Sequence, residues 1–238
     1  MNRKEIQNEK VLVIAALFIF LVTFLSCAPE YIPNMVNSPM FSNKGEFQAN
    51  ASTGTSSLDV QAAYAITDHI GMMVNGSFAD RTKDSLDNFH KHTILEGGIG
   101  YYDKFGDIGR YEIFGGYGTG RIEGRYTNIF SSHEIADARY NRFFLQPGIG
   151  IATGIYDGSF SSRLALVQMN PDGIGFETGN YHGFLEPVFT SKIGYRYLKF
   201  TFQIGFSIPI GKDELKFDYQ PFIFNVGANL NLGRLYDD

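Results

Sequence analysis

From Glu46 to the end of the chain, apolar residues fall on every second position. This is the period of a β-strand with unlike faces, not the 3.6-residue period of a helix. The last such stretch, "YQPFIFNVGANLNLG" (Tyr219 to Gly233), sets Phe222, Phe224, Val226, Ala228, Leu230 and Leu232 on one face. Ile223, Asn225, Gly227, Asn229 and Asn231 fill the other. "YLKFTFQIGFSIPI" (Tyr197 to Ile210) repeats the pattern with Leu198, Phe200, Phe202, Ile204, Phe206 and Ile208. Eight earlier segments alternate in the same way: Glu46–Ser52, Ser57–Thr67, Ile70–Ala79, His92–Tyr102, Arg110–Ile122, Ala138–Thr153, Ser159–Met169 and Gly183–Arg196.

A soluble sandwich turns its apolar face to a core, whereas a membrane barrel turns it to lipid and keeps a polar lumen. The connections separate the two. With the N-terminus periplasmic, the outer connections are Thr53–Ser56, Asp80–Lys91, Glu123–Asp137, Asn170–His182 and Gly211–Lys216. The inner ones are Asp68–His69, Asp103–Gly109, Gly154–Gly158 and Arg196–Tyr197. Three of the outer connections are about 12–15 residues and the inner ones are short, as in outer-membrane barrels. The pattern predicts an all-β fold over 46–238: a single antiparallel up-and-down transmembrane β-barrel of about ten strands, an even number. A soluble periplasmic calycin-like barrel, with its apolar face inward, is the alternative.

The first residues differ. Arg3, Lys4 and Lys10 precede the apolar run Val11–Leu25, which is short for a spanning helix and right for a signal peptide over 1–26. The run ends in "FLSC", at Cys27, the only cysteine. This resembles a bacterial lipobox, with Phe24 where Leu is usual, and the resemblance implies a lipid on Cys27 after cleavage. Pro29, Pro33 and Pro39 make residues 27–45 an extended tether.

Composition narrows the classes. The 238 residues carry a net charge of −5, which argues against nucleic acid. Charged residues make up only 19%, while 14 Tyr and 22 Phe supply strand formers. On the predicted register Asp59, Glu96, Glu112, Arg142, Arg163, Glu186, Lys192 and Lys199 face the lumen. Four acids and four bases in a narrow tube are expected to pair and fill it, since small barrels are filled and aqueous pores need about sixteen strands. A narrow solute path and a catalytic use are the alternatives.

Gly97, Gly98, Gly100, Gly115, Gly116, Gly118 and Gly120 lie on adjacent strands, without the helix and Lys-Ser/Thr of a phosphate loop, and are expected to face aromatic neighbours or ease a curved wall. Tyr101, Tyr102, Tyr111, Tyr117, Tyr195, Tyr197 and Tyr219 are expected in an aromatic girdle. His90, His92, His133 and His182 fall in or beside outer connections, near Asp84, Asp87, Glu134, Asp137 and Glu177. They are expected to be solvated, and no metal or cofactor is expected.

Asn225, Gly227, Leu230 and Leu232 resemble the last-strand signal read by barrel-assembly machinery, although the chain continues into "GRLYDD". Cys27, the lead-in "YIPN…FSNKGEFQ" and the strand pattern are together similar to small outer-membrane barrel lipoproteins of the Bacteroidota. That resemblance implies a non-enzymatic lipoprotein that contacts outer-membrane lipid, with an envelope-structural role or a complex partner engaged through its loops. A small-solute channel and a rim enzyme acting on lipid or peptide are the rival expectations.

Overall fold

The computed structural model describes residues 29–83, 88–128, 131–171, 181–211, 215 and 217–236. Their regular structure is all strand: β1 (Phe47–Gly54), β2 (Ser57–Ala65), β3 (Ile70–Lys83), β4 (Asn88–Phe105), β5 (Gly109–Asn128), β6 (Ser131–Ala152), β7 (Tyr156–Pro171), β8 (Tyr181–Tyr195), β9 (Leu198–Phe206), β10 (Ile208–Ile210) and β11 (Phe222–Leu232). From β1 to β9 each strand pairs antiparallel with the next, β11 pairs with β9, and β11 returns to β1 through Phe47↔Leu232 to Gly54↔Asn225. β9 and β10 are halves of one ribbon along β8. Gly205↔Val188 and Ile208↔Leu185 keep one register, and the break lies beside Pro187, which brings no N–H to the ladder. The result is a closed barrel of ten antiparallel strands.

The faces sort by side chain. Leu58, Val74, Ile99, Phe143, Phe160, Phe189 and Phe200 point outward, the last 76% exposed. Asn50, Gln61, Asn75, Gln146, Arg163, Gln203 and Asn231 point inward and are buried. The polarity of a soluble calycin is therefore inverted.

Strand lengths are uneven. β1 and β2 have 8 and 9 residues, β5 and β6 have 20 and 22, and a tilted strand needs only about 10 to cross a bilayer. Two expected loops are therefore largely strand: the ladder runs on to Lys83↔Asn88 and to Asn128↔Ser131. Beyond Phe78 and Phe143 the outward positions become Asp80, Lys91, Arg121, Glu123 and Asp137. Lys91 pairs with Asp80 at 3.4 Å and Arg121 with Glu123 at 2.9 Å. At this level the outer face is charged while Ile122, Ala138 and Tyr140 stay buried on the inner face, so the outward apolar series stops while backbone pairing persists. Of the expected connection Asn170–His182, 172–180 lie outside the described residues.

Candidate functional site

The lumen is not filled by wall side chains alone. Residues 31–42, the middle of the expected tether 27–45, pass through it as a buried strap. At the end carrying the long hairpins, the N–H groups of Glu30 and Tyr31 donate to the Asp218 carbonyl at 2.9 and 3.1 Å, and Gln220 N–H donates to the Tyr31 carbonyl at 2.9 Å. At the end carrying the short turns, Gly45 N–H donates to Ala65 O at 2.9 Å and the chain turns into β1. The strap thus spans the barrel from one mouth to the other.

An extended segment with no neighbouring strand must find partners for its peptide groups. Pro33 and Pro39 have no N–H to satisfy, and the inward amides share the remaining peptide groups with charged side chains of the wall. Gln203 makes a two-point contact with Val36, accepting from its N–H at 2.9 Å and donating to its carbonyl at 2.8 Å. Gln61 donates to Met35 O at 2.7 Å, Gln146 to Asn37 O at 2.8 Å and Gln48 to Pro39 O at 2.5 Å. Asn37 donates to Asn75 Oδ1 at 2.7 Å. A wall rich in Asn and Gln is what a strap without a β-ladder requires.

Charged side chains lock it at three levels. At the long-hairpin end the Tyr31 ring lies 4.5 Å from Phe184 and 5.7 Å from Tyr140, and its hydroxyl donates to Glu186 at 2.7 Å. Midway, Asn34 touches Glu96 (β4), Arg142 (β6) and Arg163 (β7). Its Nδ2 donates to Glu96 at 2.9 Å, and its Oδ1 accepts from Arg142 at 2.5 Å and Arg163 at 3.1 Å. Arg142 pairs with Glu96, and Arg163 with Glu186 at 2.6 Å. Two cations and two anions cancel, so their burial is tolerable. At the short-turn end Met40 N–H donates to Glu112 at 2.8 Å and Lys192 to Ser38 O at 3.0 Å. There Arg234, beyond β11, reaches back to Pro39 O at 3.2 Å and Met40 O at 3.1 Å. It also pairs with Glu46 at 2.7 Å and Asp157 at 3.0 Å.

All eight charged residues expected in the lumen are buried there. Glu96, Arg142, Arg163 and Glu186 form one cluster, and Lys199 pairs with Asp157 at 2.6 Å. Among the described residues Asp59, Glu112 and Lys192 are in no ion pair. Asp59 accepts from Ser56 and from Met35 N–H at 3.4 Å. Pairing within the wall set alone was therefore too narrow an expectation. Glu46, Asp157, Arg234 and the strap itself complete the charge pattern. The signal for Asp157 was its odd-numbered place on β7, shared with Arg163; Arg234 had none.

Gly98, Gly100, Gly116 and Gly120 meet aromatic rings, a Cβ on Gly116 coming within 2.4 Å of Phe144 and one on Gly120 within 2.4 Å of Tyr140, whereas Gly97, Gly115 and Gly118 face backbone or aliphatic atoms. Tyr101, Tyr111, Tyr195 and Tyr197 are exposed at the short-turn end. Tyr102, by contrast, is buried, its hydroxyl bonded to Thr67 O at 2.6 Å, and Tyr219 packs on Phe184; neither lies in a girdle. His90 lies 3.0 Å from His92, which lies 3.2 Å from Ser77, whereas His182 packs on Phe217. His92 is buried, not solvated, because its position on β4 faces the lumen. No group of three or more metal-ligating side chains converges among the described residues. Cys27, Asp84, Asp87 and Glu177 lie outside the described residues, as do the side chains of His133 and Glu134. In β11, Asn225 points into the lumen, Gly227 pairs with Ser52, and Leu230 and Leu232 face outward.

No family model and no curated protein matches this chain. Among solved structures, the β domain of the Bordetella autotransporter BrkA matches over 78% of this chain and 96% of its own length, with 11% identity and a TM-score of 0.38.

Proposed function

We propose that this chain is an outer-membrane β-barrel lipoprotein whose lumen is sealed, and that it acts as a non-enzymatic envelope scaffold or complex partner. The observation that carries this is the strap: every residue from Tyr31 to Phe41 is buried inside the wall. A tube stoppered along its length has no path for a solute. The outward face supplies the membrane contact. Its apolar belt ends at the charged positions Asp80, Lys91 and Arg121 on one side and at exposed Tyr101, Tyr111, Tyr195 and Tyr197 on the other, the banding of a spanning barrel. Short turns then face the periplasm, and the long hairpins of β3 to β6 stand above the surface, where a partner would bind.

Two measurements test it. Heat-modifiable migration in detergent is expected of the purified protein, and in planar bilayers the full chain is expected to pass no steady current. Deleting residues 30–42 is expected to open a conducting path. Steady current through the full chain would select the channel instead.

A further inference from the structure

The strap has a direction. Glu30 and Tyr31 are tied to Asp218 and Gln220 at the long-hairpin mouth, and Gly45 is tied to Ala65 at the short-turn mouth. The described chain therefore begins, at Pro29 and Glu30, at the mouth opposite to the one from which β1 starts. The site of exit is also defined. Asp218 is four positions before Phe222, the first residue of β11, and the Glu30 carboxylate accepts from Asp218 N–H at 2.6 Å. β11 is flanked by β9 and β1, which have 9 and 8 residues. The chain leaves beside the low rim of β1 and β2, while on the other side β9 runs on through β10, whose exposed Ile208 and Ile210, with Phe206, carry the apolar belt up to the rim.

We propose that the chain ahead of Glu30 emerges at the cell surface, so that acyl chains on Cys27 insert in the outer leaflet beside β11 and not in the periplasmic leaflet. This rests on the orientation and lipidation put forward above. Cys27 is three residues from Glu30, a reach of about 10 Å, enough to cross a low rim and too short to return through a filled lumen.

The test uses thiols in whole cells expressing the full chain. Pro29→Cys adds a thiol at the exit and Asp107→Cys adds one in a short turn, and each is read as labelling above that of the parent chain, whose only cysteine is Cys27. A membrane-impermeant maleimide is expected to label P29C in intact cells, while D107C stays silent until the outer membrane is opened. An epitope inserted before Pro29 is expected to bind antibody on intact cells. Labelling of P29C only after permeabilisation, or of D107C in intact cells, overturns the proposal. Acylation is read separately, by incorporation of a fatty-acid probe that Cys27→Ser abolishes. Absence of the probe with P29C labelled at the surface would refute the lipid and its leaflet and leave the surface exit standing.

Discussion

Arg163 holds Asn34 twice: one guanidinium nitrogen donates to the side-chain oxygen at 3.1 Å and another to the backbone carbonyl at 3.0 Å, while Nε binds Glu186 at 2.6 Å. One planar fork thus joins wall to strap, a geometry a lysine does not reproduce.

Arg163→Met leaves Glu186 without its Nε partner and Asn34 without two donors. Losing one partner of a buried pair costs about 3–5 kcal/mol. The midpoint of heat-modifiable migration is expected to fall, with Arg163→Lys recovering little. Arg163→Met combined with Glu186→Gln is expected to be less harmful than the sum of the two, because the uncompensated charge is gone.

Gln203→Met removes the two-point amide contact with Val36. Each unsatisfied buried backbone group costs about 1–3 kcal/mol. Protease digestion of the folded barrel is expected to cut the strap of this variant faster than that of the parent, with the wall still migrating as a folded species.

Gly71 faces the lumen on β3, and a Cβ there would approach the Phe41 ring to 2.6 Å. Gly71→Leu is expected to push Phe41 off its seat against Tyr102 and Phe114. Overpacking of this kind costs about 1–3 kcal/mol. The check is a thiol at Ser42, buried in the parent: in the G71L background it is expected to react faster with a small reagent.

Removing residues 124–136, the end of the β5–β6 hairpin, takes away ribbon beyond the apolar belt. Insertion and heat-modifiability are expected to be unchanged, because the strap's partners Glu96 and Arg142 lie further down the same wall. A drop in the midpoint comparable to that of R163M would show that the hairpin supports the barrel.

The wall was legible because an apolar outer face over a polar lumen demands period two at every strand, so Phe200 or Leu230 could be assigned a side from spacing alone. The strap was not. "YIPNMVNSPMFSN" has no period, and its two prolines with Pro29 just before them describe an extended chain without saying what surrounds it. The wall did carry a clue in Gln48, Gln61, Gln146 and Gln203. Ion pairing alone does not need inward amides, which offer donor and acceptor together and suit a peptide backbone. The hairpin extensions were missed for the opposite reason: with the outward positions charged, backbone hydrogen bonding holds Glu123 and Asp137 in strand, and composition does not record it.

Arg234 fastens the strap after the final strand, and β1 meets that strand along its length. The strap must therefore already be in place when the final strand zips shut, which imposes an order of events on biogenesis. Once closed, the strap leaves only if the β1–β11 seam unzips or a filled channel empties lengthwise. The lifetime of the assembled protein is then set by the height of that barrier more than by equilibrium stability.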